Sequence, residues 1–593
     1  MYASSSIEYK KEAHKLNLAQ ERYWQILLHI VDGESEIDDE KFFLSPDGKT
    51  DAKSELDATL EALLNETRFD DNSTACRFPA RKAWLAEKLS IDNLPKVKCK
   101  EYDKIVKRLN PKSATLVFPT AHINSPASMF GHTFIRINSA YNSKLLSYAI
   151  NYAAGADPDK ENGVVFAIKG LVGGYYGNYS LLPYYEKLKE YRDTEQRDIW
   201  EYDLNLNEDE VQRMVRHIWE LNNTNSYYYF FTQNCSYNML WLIESARESI
   251  HLREYFTYQV LPLETIHAAK EEGIISSVSY RPSKRTKLLK YEKLLDEKYI
   301  EIPKALVNKE ISPKEVIDNK TINMEQKRYI LESAIEYLEY SYAKNNMEKE
   351  EFISLFHNLT KLRATLGIGK KLSIEKPNDP IDAHKAIRSS FGTGYRDNKP
   401  IVFVGIRPAY HDLEDSNYGF LRGTQIEFLD LELSYSEDSL ELEKLTLLSI
   451  VSLSQISEFV NTFSWKMRLG FDRNSLDDKT KFMGSIGGGF SFGNDFAFSY
   501  FMVEPLFYIG DKPNIALGGT VGVVVDKYDY MSTNIELTHR LYYDAKEQSI
   551  INISQAFRLS QNTQIKLKYN YITKDILDIN HQETYNMMFN YYF

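Results

Sequence analysis

The sequence predicts an α+β chain that ends in an antiparallel β-barrel. Three observations carry this. Apolar residues recur at helical spacing through roughly the first 110 residues and again between about 250 and 380. Short β-type runs and one apolar helix lie between those regions. From about Ala383 onward the letters alternate between two faces, segment after segment. The expected divisions are a helical N-terminal region (1–110), a mixed α/β segment (111–250), a helical module (251–382) and a barrel (383–593).

In the first region, "AQERYWQILLHIV" and "SELDATLEALLNETRF" have helical spacing, and "FFLSPDGKT" between them carries a Pro-Asp-Gly turn signal. The second region opens with strand-type runs, "ATLVFPTAHI", "HTFIRIN" and "KLLSYAINYAA". A glycine-rich aromatic segment follows, "KGLVGGYYGNYSLLPYY", then a strand in "DIWEYDLNL". "NEDEVQRMVRHIWELNN" is a helix with an acidic first turn and Asn207 as its N-cap. "SYYYFFTQ" is extended and delivers the chain to Cys235. Residues 251–382 are charged and helical, as in "NMEQKRYILESAIEYLEYSYAKNN".

In the last region, "TQIKLKYNYI" puts Ile565, Leu567, Tyr569 and Tyr571 on one face and Lys566, Lys568 and Asn570 on the other. In "NIALGGTVGVVVD", Ile515, Leu517, Val521, Val523 and Val525 share a face. The closing "ETYNMMFNYYF" aligns Tyr585, Met587, Phe589, Tyr591 and Phe593. One-sided alternation over segments of about ten residues, rich in aromatics, is the pattern of a transmembrane barrel of roughly 10 to 12 strands. Closure removes the sheet edges that lipid does not tolerate. The odd-numbered face of 585–593 is expected to meet lipid. A soluble β-sandwich with one polar face is the alternative.

Composition narrows the classes. The net charge is -12 and there is no basic tract, so nothing points to nucleic acid. No run of about 18 apolar residues is present, so no transmembrane helix is expected. "MYASSS" suits a small-residue remnant left after signal removal, and equally an ordinary flexible terminus.

The three cysteines are Cys76, Cys99 and Cys235. In an oxidising compartment Cys76 and Cys99 can close one short loop, worth roughly 3 kcal/mol in the chain-entropy model. Cys235 is then left over, either as a small buried hydrophobe or as a reactive thiol. It stands where "CSYNMLWLIESA" begins a helix. A helix N-terminus lowers a thiol pKa, and its backbone N–H groups are expected to face an oxyanion. The candidate base is His132 in "NSPASMFGHTFIRIN", preceded by Gly131 at the entry of a strand, with His122 as competitor. A metal site of His122, His132 and Cys235 lacks regular ligand spacing, and no metal or cofactor is expected.

"GH" on a strand followed later by "NC" opening an apolar helix resembles the circularly permuted papain-like fold, which includes NlpC-type enzymes and lecithin:retinol acyltransferase. The order fits, because His132 precedes Cys235. The third member of such triads lies on the strand after the histidine. Asn151 fits best, with Ser147 and Tyr152 as alternatives. More of the chain agrees with one group. "CRFPAR", "NSPASMFGHTFIRI", "YAINYAA", "GLVGGYYGNY", "YYYFFTQNCSYN" and the closing barrel resemble the Lnb family of bacterial lipoprotein N-acyltransferases. Met129 stands between Ser128 and Phe130 in that motif, with the histidine intact.

The resemblance implies a periplasm-facing catalytic domain on an outer-membrane barrel. It also implies acyl transfer from a phospholipid, through a Cys235 thioester, to the α-amine of a diacylglyceryl-cysteine lipoprotein. Catalysis is expected from Cys235, His132 and Asn151, and substrate contact from Ser128, Tyr175 and Tyr176. The glycine-rich segment is either an apolar wall that keeps water from a thioester or a turn with core tyrosines. Competing readings are a cysteine peptidase, amidase or phospholipase with the same dyad, and a non-enzymatic outer-membrane pore or anchor.

Overall fold

The computed structural model describes residues 2–121, 130–141, 144–155, 169–170, 172–344, 347–437, 439–474, 479–510, 513–573 and 581–593. The chain divides into two compact units, Met1–Ser283 and Lys284–Phe593.

The first unit is built on a seven-stranded antiparallel sheet. Its strands are β1 (Pro111–Pro119), β2 (Phe134–Ser139), β3 (Tyr148–Ala154), β4 (Tyr175–Pro183), β5 (Ile199–Leu204), β6 (Asn225–Tyr228) and β7 (Ile275–Arg281). The order across the sheet is β6-β4-β3-β2-β1-β5-β7. Strand β7 lies in a stretch whose sequence reads as helical. Its alternating "ISSVSYR" is too short to stand out among charged helices. The helices of this unit include α1 (Ala52–Leu64), α2 (Pro79–Lys88), α3 (Glu208–Glu220) and α4 (Cys235–Ala246); others cover Tyr2–Lys15, Lys100–Leu109 and Pro262–Glu271. Asn207 caps α3 in a full capping box with Glu210, a device worth about 1 kcal/mol. Cys76 and Cys99 form a disulfide, Cα–Cα 5.2 Å, and Cys235 is free and buried.

Helix α4 is buried along its length: Met239, Leu240, Trp241, Leu242 and Ile243 have no exposed surface, and its buried Glu244 is paired with Arg22 and Arg253. It packs against α3 on one side and β3 on the other. That placement brings its first residue, Cys235, to the sheet. Across the sheet the buried Arg136 of β2 pairs with Glu201 of β5 at 2.5 Å. Burial alone would raise the Glu201 carboxyl, but Arg136 and Arg281 hold it down at about 2.

In the second unit, helices α5 (Met324–Ala343) and α6 (Lys349–Thr365) pair around Ile330, Leu331, Leu338 and Leu359. The same apolar cluster takes in Phe459 and Val460 from a long connection of the barrel. Twelve strands close the barrel: β8 (Arg388–Arg396), β9 (Lys399–Arg407), β11 (Thr424–Ser436), β12 (Ser439–Ser452), β13 (Ser464–Asn474), β14 (Lys479–Gly493), β15 (Ala497–Ile509), β16 (Asn514–Tyr528), β17 (Met531–Tyr542), β18 (Glu547–Ser560), β19 (Thr563–Thr573) and β20 (His581–Tyr592). A three-residue strand, β10 (Ala409–His411), adds to β11. Closure runs from β8 to β20, with Arg388 opposite Tyr592, and from β9 to β11, with Gly405 opposite Glu432.

The alternation sorts as the sequence predicts. Tyr585 and Met587 are each 51% exposed, whereas Met588 between them and Phe589 is 4% exposed. Ile515, Leu517 and Val521 also face out, while Thr520 and Lys566 are buried inside. The outward set is apolar and the inward set polar, which is the reverse of a water-soluble barrel.

The connection between β9 and β11 folds into the lumen and spans it. On one wall Asp412 pairs with Arg388 (2.5 Å) and Arg407 (2.9 Å), and Glu414 pairs with Lys568 at 2.6 Å. Tyr592 donates its hydroxyl to Asp415 at 2.7 Å. On the other wall Leu413 packs with Phe498, Tyr500, Met502 and Val524. Asn417 donates to Asp526 at 3.2 Å, and the Arg558 guanidinium lies 3.9 Å from the centre of the Tyr418 ring.

Candidate active site

The site is assembled by the pairing of β2 with β3 and by the start of α4. The register Ile135↔Ile150 carries Phe134 to Asn151, so His132 and Asn151 share one face of the sheet. Gly131 makes the approach to His132 with φ +97°, in the region that favours glycine. A Cβ there would lie 2.6 Å from the Phe118 ring, so no other residue fits without displacing it.

His132 Nε2 lies 2.8 Å from Asn151 Oδ1. An amide oxygen only accepts, so Nε2 carries the proton and donates, which leaves Nδ1 as the basic nitrogen. Nδ1 is the atom hydrogen-bonded to Cys235 Sγ. All three side chains are buried. The Tyr191 ring lies 5.5 Å from the imidazole, centre to centre, and closes one side. Burial pushes the Cys235 thiol up. The His132 charge and hydrogen bond, with a bond from the Thr133 N–H, outweigh it and bring the thiol to about 6.

The start of α4 departs from the sequence expectation. Asn234 is the N-cap, and its side chain accepts from the N–H groups of Ser236 (3.0 Å) and Tyr237 (3.2 Å). Those two donors are therefore not turned toward an oxyanion. The Cys235 N–H donates to the Tyr228 hydroxyl at 3.2 Å, and the same hydroxyl bonds Cys235 Sγ. Burial, then the Cys235 charge, pushes the Tyr228 phenol well up, so it stays protonated and able to donate. In the resting site the Cys235 N–H is therefore spent on the Tyr228 oxygen and the Tyr228 O–H on Sγ, so neither is a preformed oxyanion donor. Tyr228 is the functional residue the sequence reading missed. The available signal was its place in "SYYYFF", where strand alternation turns Tyr228 to the opposite face from Tyr227.

Of the three candidates Asn151, Ser147 and Tyr152, Asn151 is the one bonded to the His132 ring, and Tyr152 lies on the opposite face of β3. The Ser147 carbonyl accepts from Tyr184 N–H, and the Tyr152 ring packs on Tyr228 and Tyr179. Ser128 and His122 lie outside the described residues. Tyr175 pairs with Tyr228 across β4 and β6 and is buried beside it. Tyr176 turns to the opposite face, where its ring stacks on Tyr227. The glycines of the same segment make room for aromatic rings, two of them in the run before Cys235. Added Cβ atoms at Gly170, Gly173 and Gly177 would strike Phe230, Tyr229 and Tyr152.

A family profile described as the Lnb N-terminal periplasmic domain matches residues 101–272, which contain every described member of this site. This segment belongs to the Lnb family. Three domains of unknown function match the rest, DUF7843 over 16–88, DUF7842 over 278–373 and DUF7840 over 377–592. No curated protein matches the chain. Among solved structures, the NanC porin matches at 8% identity over 35% of this chain and 100% of its own, TM-score 0.25. The KdgM porin matches at 12% over 35% and 99%, TM-score 0.23. An outer membrane channel from Pseudomonas putida F1 matches at 9% over 38% and 100%, TM-score 0.25.

The Lnb domain carries a Cys–His dyad of the acyl-transfer type. Among the described residues no helix is long and apolar enough to cross a membrane; the apolar-faced barrel crosses it instead. The protein resides in the outer membrane with its Lnb domain facing the periplasm.

Proposed function

We propose that this protein moves an acyl chain from a phospholipid to the α-amine of a diacylglyceryl-cysteine lipoprotein. The observation that carries the reading is the Cys235–His132–Asn151 relay in an Lnb domain whose chain continues into a membrane barrel. Cys235 thiolate attacks the ester carbonyl of the donor lipid. As Sγ bonds to the acyl carbon, the Tyr228 O–H is released from it and turns to the oxyanion. The tetrahedral intermediate collapses, the C–O bond breaks, and the His132 Nδ1 proton goes to the departing lysophospholipid oxygen. The acyl group is then a thioester on Cys235.

The lipoprotein amine attacks that thioester, His132 Nδ1 takes the proton from the nitrogen, and the thiolate leaves as the amide forms. Asn151 holds the ring in the tautomer both half-reactions need. The aromatic packing around Cys235, with Tyr191 on one side and Tyr228 on the other, limits water at the thioester. Tyr175, buried beside Tyr228, is assigned to the acyl-chain wall, while Tyr176 lies on the other face of the sheet and outside that wall. The test is mass spectrometry of lipoprotein N-termini from cells with the wild-type protein and with Cys235→Ser. The reading expects N-acylated termini only with wild type. Identical termini in the two strains would reject it.

A further inference from the structure

One acidic stretch outside the Lnb domain reaches directly to the nucleophile's helix. Glu36 follows the short hairpin of Ile30–Val31 and Glu34–Ser35, in the segment matched only as a domain of unknown function. Its Oε1 accepts from Gln233 Nε2 (2.9 Å) and from the Tyr237 hydroxyl (3.1 Å). Its Oε2 accepts from Trp241 Nε1 at 2.9 Å. Tyr237 and Trp241 lie one turn apart on α4, and Gln233 lies just before its N-cap, so the three donors flank the start of the helix that carries Cys235. The Arg253 guanidinium lies 3.2 Å from the Trp241 ring centre and completes the pocket.

The neighbours of Glu36 hold the other side of the same loop. Asp38 accepts from the Tyr227 N–H at 2.7 Å. The Asn225 carbonyl accepts from the N–H groups of Asp38 (3.2 Å) and Asp39 (3.1 Å). Residues 36–39 therefore grip β6 before residues 229–234 and α4 after them. The two ends of that loop set where Tyr228 and Cys235 stand.

We propose that Glu36 is a positioning residue for the reaction: it fixes the start of α4 so that Cys235 Sγ meets His132, and the N-terminal domain of unknown function thereby completes the Lnb active site. A carboxylate suits this role because it offers acceptors only, and all three partners are donors. Removing it leaves the Gln233, Tyr237 and Trp241 donors without their acceptor and lets residue 233, two before the nucleophile, drift. The groups facing Cys235 are His132, Tyr228 and Tyr191. Glu36 touches none of them, so it acts through geometry. This inference rests on the reading of Cys235 as the nucleophile.

The test uses the full-length protein in detergent and follows the pH dependence of Cys235 alkylation by iodoacetamide. Acyl-adduct formation from phospholipid is measured on the same samples. Glu36→Ala should raise the alkylation midpoint by about one pH unit and slow adduct formation about tenfold. Tyr237→Phe, which keeps the ring and removes one donated bond, should shift both in the same direction by less. Glu36→Gln, which keeps one acceptor oxygen, should recover part of the loss. Folded Glu36→Ala with the wild-type midpoint and rate overturns the inference. If Glu36→Ala does not fold, wild-type values in Tyr237→Phe overturn it instead. A wild-type midpoint near that of an ordinary thiol, with no adduct, sinks the nucleophile reading and this inference together. A low wild-type midpoint unchanged in every variant sinks this inference alone.

Discussion

His132 Nε2 donates to Asn151 Oδ1 at 2.8 Å, and that single bond determines which ring nitrogen faces Cys235. Asn151→Ala would leave a buried N–H without its acceptor, a cost of about 1–3 kcal/mol. If that cost falls on the reactive arrangement, acyl transfer drops roughly 10- to 100-fold. The protein should remain folded, and Asn151→Asp, which keeps an acceptor, should lose less. Steady-state transfer rates for the two variants check the ordering. Equal losses would remove the tautomer argument.

The thiol at about 6 makes a prediction about pH. A thiol whose pKa is lowered is ionised above that value, so alkylation of Cys235 should rise as pH passes through about 6 and then level off. In His132→Ala burial is opposed only by the weaker bonds from the Thr133 N–H and the Ser236 hydroxyl, and the midpoint should move up toward or beyond the ordinary thiol value of about 8.5. A midpoint that stays put in His132→Ala would mean the imidazole does not set the thiolate.

The Tyr228 hydroxyl accepts from the Cys235 N–H and bonds Sγ, whereas the next two helix N–H groups are taken by the Asn234 cap. Tyr228→Phe keeps the ring that packs on Tyr152 and removes only the hydroxyl. Loss of one oxyanion donor costs about 10²- to 10³-fold. The expected outcome is a fall in the rate of adduct formation of that order. A Tyr228→Phe protein with wild-type rate would assign the hydroxyl to packing alone.

The segment that spans the lumen predicts an electrically silent barrel. Asp412 and Glu414 bind one wall while Leu413 packs on the other, so purified protein in a planar bilayer should show no steady conductance. Deleting residues 411–418 should open a stable, ohmic channel. Steady conductance from the wild type would contradict the plug.

Much of this was legible in the sequence, for definite reasons. Alternation around Met587 and Met588 reports a barrel wall because period two is a local property of the strand. Cys235 was legible because it follows Gln-Asn and opens a run that reads as an apolar helix. Asn151 followed from chain order and resemblance, and its bond to His132 agrees. What escaped depends on distant pairs. Glu36 meets Trp241 across about 200 residues of chain, and Asp412 reads as an ordinary loop acid until Arg388 and Arg407 surround it. The expectation that the first N–H groups of α4 face an oxyanion failed because the cap that starts the helix also consumes Ser236 and Tyr237 N–H.

The most direct test of the account is the acyl-enzyme itself. Full-length protein is incubated with phospholipid alone and its intact mass measured, before and after neutral hydroxylamine and before and after a diacylated lipoprotein is added. The account predicts one acyl chain on Cys235, release of lysophospholipid, cleavage by hydroxylamine, and discharge onto the lipoprotein α-amine. No adduct should form on Cys235→Ser. An adduct that yields only free fatty acid would make the protein a hydrolase, and no adduct under any of these conditions would contradict the account.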